Sequence, residues 1–214
     1  MKKAVLSFLA LLSAAWLACA AGNAQAAALP YRKLSKADLP AALKAEGKVV
    51  AAFEWSDIRG RNLAVFSQSL RRGKEGTSAG LHAFGYRVEQ QALRRVWKVE
   101  DGLEDCDLDL TSFFEIDSLE VTDLDGNGIG EVSFVYRLAC NGGLDLIDEK
   151  LFLVEDGKKF PVRGGTEWTG VDDNDQGGHY DGPMWVDKAY NHAPASFKPF
   201  AVAKWRRFRQ PSED

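Results

Sequence analysis

Apolar, strand-like runs recur between residues 49 and 162, and the later ones, at 119–138 and 151–162, alternate hydrophobic with polar residues, the two-residue period of strands that bury one face. Polar or glycine-containing segments separate the runs at short intervals, as turns do, so we predict hairpins. The second hairpin reverses at residues 89–92, and the third places Val121 opposite Val132 on a buried face. The first three hairpins join the following runs: 49–55 with 63–69, 81–88 with 93–99, and 119–121 with 132–138.

A fourth hairpin is predicted around Asp156 and Gly157, because Asp-Gly is a preferred two-residue type I′ turn. Charge pairing and hydrophobic alternation both agree with the register that this turn imposes. That register pairs three sets of residues: Glu155 with Lys158, Leu153 with Phe160, and Leu151 with Val162. Two segments rich in glycine and polar residues are predicted to lack regular structure, a mobile loop at 69–80 and an irregular stretch at 164–193.

Two helices are predicted to flank the hairpins. Asp38 is a suitable N-cap for the first, with Pro40 in its first turn and Gly47 closing it, whereas Ser35 with Asp38 offers a capping box as an alternative start. The second begins near Ser196 and carries one apolar stripe: Phe197, Ala201, Trp205, Phe208. The predicted fold class is α+β, mainly antiparallel β, with four successive hairpins between a short N-terminal and a C-terminal helix.

The N-terminus has the three parts of a signal peptide. Lys2 and Lys3 precede an apolar stretch at 4–21, and Ala24-Gln25-Ala26 is a small-x-small cleavage site. We therefore expect residues 1–26 to be removed, leaving a single β-rich domain at 27–214 that is periplasmic or secreted. Cys19 leaves a lipoprotein as the minority alternative, although the residues before it make a poor lipobox.

Removal of the signal peptide takes two lysines with it and changes the formal net charge from −4 to −6. An acidic exported protein is a poor nucleic-acid binder, so that class of function is not expected. Two cysteines remain, Cys106 and Cys140, and an even pair in an exported chain predicts a disulfide. The predicted register does not place them side by side. A thiol nucleophile is the alternative, but no histidine is close in sequence.

The third hairpin contains the clearest candidate site. Its loop offers an oxygen ligand at every second position, and hard cations such as Ca²⁺ take six to eight oxygens. These ligands are the side chains of Asp123, Asp125, Asn127 and Glu131 and the backbone carbonyl of Ile129. An EF-hand is excluded, because its twelfth position would be Phe134 instead of a glutamate. The alternative is a polar hairpin tip without a cation.

The loop at 123–131 resembles the strand-loop-strand calcium sites of integrin-α and of FG-GAP or VCBS-type repeats. Asn127 replaces an acid of that pattern, and Glu131 stands where the family usually has aspartate. The resemblance implies one structural Ca²⁺ but no propeller, since no repeats are visible. At larger scale, residues 45–165 resemble exported bacterial proteins labelled as surface polysaccharide biosynthesis proteins. That resemblance rests on an ordered set of features: Trp97, Cys106, the Asp-rich loop, Tyr136, Cys140 and the 158–164 segment.

Other chemistry is less well supported. The three histidines are scattered in sequence, so zinc-site spacing is absent: His82, His179, His192. The acidic run at 172–175 with Asp181 is either a second cation site or a solvated loop. No catalytic residue is predicted. The favoured hypothesis is a non-enzymatic calcium-binding module that binds an envelope component or another protein. The alternative is an envelope polysaccharide-modifying enzyme that uses carboxylates of the acidic half of the chain, the segment at 100–156, and it would need two of them about 5–10 Å apart in a pocket.

Overall fold

The computed structural model describes residues 27–90, 92–142, 146–171 and 177–210. The predicted signal peptide and the whole acidic run at 172–175 lie outside these ranges. Within them the chain forms short 3-10 turns at Lys36–Asp38 and Lys188–His192, one α-helix and a series of strands. The strands and the helix are β1 (Ala27–Ala28), β2 (Tyr31–Lys33), β3 (Lys48–Asp57), β4 (Gly60–Arg72), β5 (Thr77–Glu89), β6 (Ala92–Cys106), β7 (Asp109–Asp123), β8 (Glu131–Asn141), β9 (Asp148–Glu155), β10 (Lys158–Gly165), β11 (Trp168–Val171), β12 (Gly177–Tyr180), β13 (Met184–Val186) and α1 (Phe197–Phe208).

Two antiparallel sheets face each other and enclose the main core. One has the strand order β2-β3-β4-β5-β6 and the other β1-β7-β8-β9-β10-β13, while β11 and β12 form a separate pair. Aromatic side chains fill the space between the sheets: the Phe66 ring lies 5.3 Å from that of Phe114 and 5.1 Å from that of Phe134. Trp97 of the first sheet stacks on Phe134 as well. The fold is therefore mainly antiparallel β, as predicted.

Helix α1 covers the outer face of the six-stranded sheet. Its buried residues Phe197, Ala201 and Trp205 pack with Leu151 and Val162 of that sheet in a second hydrophobic cluster. The predicted C-terminal helix and its apolar stripe are confirmed. Among the described residues, no helix is both long and apolar enough to cross a membrane.

The segment before β3 covers the outer face of the five-stranded sheet, and it is not the helix that was predicted. Only a 3-10 turn forms, and Asp38 ends it instead of starting it. The Asp38 carboxylate accepts hydrogen bonds from the Ser35 backbone N–H (3.0 Å) and hydroxyl (2.6 Å), so the capping box prevails. Leu39 then turns to an extended ψ of 137°, because a residue before proline avoids the helical region.

The strand pairs predicted at the four turns are present, but the architecture of four successive hairpins is wrong. Val121 lies opposite Val132, and all three pairs predicted around Asp156 and Gly157 are observed. Neighbouring hairpins of one sheet also pair with each other, β4 with β5 and β8 with β9. The predicted loop at 69–80 is mostly strand, and the stretch at 164–193 contains three short strands. Because neighbouring hairpins pair with each other, the strands form two meanders instead of four separate hairpins.

A disulfide between Cys106 and Cys140 joins the two sheets. Cys106 is the last residue of β6, and Cys140 lies near the end of β8, with their Cα atoms 5.6 Å apart. The predicted pairing is therefore observed. It lies at the opposite end of β8 from the Asp-rich loop, which precedes Glu131 at the start of the strand.

Candidate metal centre

The Asp-rich loop joins β7 to β8 and is tied to the neighbouring sheet. Gly126 and Gly128 have φ values of 73° and 76°, a conformation that lets the loop reverse tightly and that other residues rarely adopt. The Gly128 carbonyl accepts a hydrogen bond from the Ile58 N–H (3.0 Å), and the Gly130 N–H donates to the Asp57 carboxylate (3.0 Å). The turn between β3 and β4 thus holds the loop in place.

Three carboxylates of the loop converge on one point. Asp123, Asp125 and Glu131 each offer an oxygen, and these three oxygens lie within 4.8 Å of one another. One oxygen of Asp123 accepts from the Gly128 N–H (3.1 Å). One oxygen of Glu131 accepts from the Leu124 N–H (2.9 Å) and from the Thr122 hydroxyl (3.0 Å). Asp125 Oδ1 accepts from the Asn127 N–H (3.1 Å), so backbone N–H groups orient all three acids.

The second carboxylate oxygens of Asp123 and Glu131 lack a protein donor. Asp123 Oδ1 and Glu131 Oε1 are both buried and have no hydrogen-bond partner. A buried acceptor without a partner costs about 1–3 kcal/mol, and more when it carries charge. A cation bound by these oxygens would remove that cost, because carboxylate oxygens are the ligands that hard cations prefer.

Burial raises the pKa of Glu131 to about 7, and the negative charges of Glu155 and Asp125 add to the effect. The hydrogen bonds from Leu124 and Thr122 lower the pKa but do not compensate for the burial. Without a cation, the Glu131 carboxyl therefore keeps its proton to a higher pH than an exposed glutamate does. A bound cation would favour the ionised form.

Glu155 is a fourth acid at the site and is not among the predicted ligands. It lies opposite Glu131 in the β8–β9 pairing and is only 9% exposed. Burial raises its pKa, and the charges of Asp125 and Asp156 add to the rise. From the sequence, Glu155 was only the cross-strand partner of Lys158. Its place beside the loop depends on the β8–β9 register, which no local turn specifies.

Asn127 connects the loop to β9 by hydrogen bonds. The Asn127 amide donates to Asp125 Oδ2 (3.1 Å) and to Glu155 Oε1 (2.7 Å), so it links two acids. Its carbonyl oxygen accepts from the Ile129 N–H (2.7 Å). Their roles as ligands stay predictions. Of the five predicted ligands, the structure brings together the three acids.

In a second acidic group, near the C-terminus, an arginine side chain already supplies the positive charge. Glu167, His179 and Asp181 could each offer a ligand atom to a metal, but Arg209 lies among them. Its guanidinium pairs with Asp181 at 2.5 Å and also with Glu167. The predicted site at 172–175 with Asp181 falls mainly outside the described residues. The part that is described is thus an arginine-centred ion-pair network.

Comparisons of this chain with known protein families, with curated proteins and with solved structures give no significant match. The resemblance of the loop to calcium-binding repeats and the larger resemblance over 45–165 both stay predictions. Function has to be argued from the chemistry of the sites, because a fold alone does not determine it.

Proposed function

We propose that the protein is an exported, non-enzymatic module, periplasmic or secreted, that binds one structural Ca²⁺ in the loop between β7 and β8. The observation that carries the proposal is the pair of buried oxygens without partners, Asp123 Oδ1 and Glu131 Oε1, beside the carboxylate of Asp125. Glu155 adds negative charge close by. Such a group needs a cation, and its all-oxygen chemistry favours Ca²⁺.

The position of the loop supports a structural role for the ion. The loop is bonded to Asp57 and Ile58 of the five-stranded sheet, while Glu131 is fully buried in the six-stranded one. An ion between the loop acids would thus fasten the two sheets at one end. The disulfide from Cys106 to Cys140 fastens them at the other. No catalytic group is needed for this role.

The proposed partner is an envelope component or another protein, and a groove beside β6 and β10 is the candidate surface. It encloses about 480 Å³ and includes Lys98, Glu100, Arg163 and Asp187 in its lining. Its two acids are already paired, Glu100 with Lys98 at 2.5 Å and Asp187 with Arg163 at 3.4 Å. They are not a free carboxylate pair of the kind that glycoside hydrolysis uses, so this groove favours binding over catalysis.

Thermal unfolding in calcium and in chelator tests the calcium site. We expect a Kd on the order of 10⁻⁴–10⁻³ M, as in other extracellular calcium modules. Calcium at ten times Kd then stabilises the folded protein by about 1.4 kcal/mol and raises its melting temperature. Asp123→Ala and Asp125→Ala should abolish the rise. Magnesium should replace calcium poorly, since it demands a smaller octahedral shell.

Asp109→Asn is the matched control, because Asp109 is an exposed acid at the far end of β7. It should keep the full response to calcium. If the wild-type protein melts at one temperature in both conditions and calorimetry detects no binding at millimolar calcium, the loop is a polar hairpin tip and the proposal is wrong.

A further inference from the structure

A second group of possible metal ligands lies on the outer face of the five-stranded sheet. His82 of β5 is directly opposite Glu100 of β6, and Glu46 approaches both from the segment that precedes β3. The three ligand atoms offered by these side chains lie within 4.8 Å of one another. The group shares no residue with the Asp-rich loop, and it includes a nitrogen ligand that the loop lacks.

His82 is the buried member of this group, and one of its ring nitrogens has no partner. The residue is 8% exposed, and Nδ1 makes no hydrogen bond. Its polar neighbours are Glu100 Oε1 at 3.9 Å and Glu46 Oε2 at 4.0 Å. Both distances are too long for an N–H···O hydrogen bond. A buried nitrogen thus faces two carboxylates across a gap.

The other ring nitrogen fixes the imidazole. His82 Nε2 lies 3.2 Å from the Ser69 hydroxyl oxygen, and the ring stacks on Phe84 with an interplanar angle of 8°. When Nε2–H donates to that oxygen, Nδ1 carries a lone pair directed at Glu46 and Glu100. Metal-binding histidines are oriented in this way, by a hydrogen bond from the nitrogen that does not bind the ion.

Two glycines make the arrangement possible. A Cβ on Gly80 would lie 2.5 Å from Ser69 Oγ and 2.8 Å from His82 Nε2, so only glycine leaves room for that hydrogen bond. Gly47 has a φ of 74°, and a Cβ there would come 2.1 Å from the Gln68 carbonyl oxygen. The backbone beside Glu46 therefore passes close to β4, which brings Glu46 to the sheet.

We propose that His82 Nδ1, Glu100 and Glu46 bind one divalent ion of the zinc class, with water completing the shell. A neutral imidazole suits Zn²⁺, and three protein ligands with an open position are a common zinc arrangement. Two carboxylates balance the two positive charges of the ion. The Glu46 side chain is 68% exposed, so it is free to move in and shorten the gap.

Glu100 is held ready for this role by Lys98. The ammonium group donates to one oxygen of Glu100 at 2.5 Å and so orients the carboxylate. The other oxygen faces His82. The competing explanation for the group is a protonated His82 paired with both acids, without a metal. Metal titration distinguishes the two, because only the first predicts binding that depends on His82.

The test uses the full mature protein, stripped with chelator and then kept in Ca²⁺ at ten times its Kd, so that Ca²⁺ occupies most of the loops between β7 and β8. Zn²⁺ binding is measured by calorimetry, and Co²⁺ binding by visible absorption. We expect one site per chain. His82→Gln and Glu100→Gln should each weaken binding by about 100-fold or more, and Glu46→Gln by about ten-fold, since even second-shell changes cost roughly 10–100-fold.

Controls separate this site from other histidines and from the loop. His179→Gln and His192→Gln should bind Zn²⁺ as the wild type does, and so should Asp125→Asn. The exposed Glu46→Gln variant should have a native circular dichroism spectrum, so the test remains valid if His82→Gln fails to fold. Absence of Zn²⁺ binding by the wild type, or equal binding by the wild type and the Glu46 and Glu100 variants, would overturn the proposal in favour of the protonated histidine.

Discussion

Replacing Glu131 with glutamine should have opposite effects on stability and on calcium binding. Glu131 is fully buried, and burial raises the pKa of its carboxyl to about 7. Glu131→Gln keeps an acceptor for the Leu124 N–H and the Thr122 hydroxyl, which bond to one oxygen of the side chain. It removes the charge that destabilises the calcium-free protein. It also removes a calcium ligand, so the variant should gain nothing from calcium.

The magnitude follows from the difference in pKa between the folded state, about 7, and the unfolded state, 4.5. In this interval the folded protein binds the proton more tightly, so the calcium-free wild type loses stability as pH rises from about 4.5 to 7. The full loss is about 3 kcal/mol, because each pKa unit corresponds to 1.36 kcal/mol. Below the interval the charge is absent and the loss disappears.

Urea unfolding in chelator, at pH 5 and pH 8, measures this difference. Glu131→Gln should be more stable than the wild type by about 3 kcal/mol at pH 8 and by roughly 1 kcal/mol at pH 5. Calcium at ten times Kd should narrow the gap at pH 8 by about 1.4 kcal/mol, since only the wild type binds it. Glu104→Gln, an acid whose side chain is 78% exposed, is the control and should change little. A Glu131→Gln variant that is less stable than the wild type in chelator at pH 8, or that still responds to calcium, would refute the reasoning.

Three further predictions concern the rest of the molecule. Arg137→Met should lower the free energy of unfolding by about 3–5 kcal/mol in urea titrations, because it leaves the buried Glu149 without its partner at 3.2 Å; adding Glu149→Leu should recover most of the loss. Thiol labelling of the denatured, unreduced mature protein should find no free cysteine, and reducing the bond from Cys106 to Cys140 should cost about 3–4 kcal/mol on the chain-entropy estimate. Mass spectrometry of the exported protein should give Ala27 as the N-terminal residue, and a lipid-modified N-terminus would contradict this.

Local signals in the sequence predicted local structure well. The Asp156–Gly157 turn fixed the register of β9 and β10, because a two-residue turn allows one pairing and the charges agree with it. The spacing of the stripe from Phe197 to Phe208 identified α1, since apolar residues at helical intervals fit few other structures. The helix expected after Asp38 does not form, because Pro40 keeps Leu39 before it out of the helical region. This effect is stronger than the preference of Asp38 for an N-cap position.

Contacts between distant segments were not predictable, and the group around His82 shows why. The predicted hairpin turning at residues 89–92 would set His82 opposite Val99, which faces the core. An irregularity in the pairing between Gly85 and Tyr86 shifts the register by one residue and places His82 opposite Glu100 instead. The shift occurs where Trp97 packs on Gly85, at a point where a Cβ would lie 2.0 Å from the indole nitrogen. Sequence alternation alone carries no sign of that shift.

The two proposed ions would act on different parts of the fold, so their effects should be separable. The Asp-rich loop joins the two sheets at the end where β8 begins, through Asp57 and Glu131. The zinc ligands tie the segment carrying Glu46 to the outside of one sheet, away from that junction. Calcium should therefore raise the stability of the whole domain, because unfolding must separate the sheets. Zinc should mainly slow local opening of the covering segment, a difference that amide exchange at residues 34–47 would resolve.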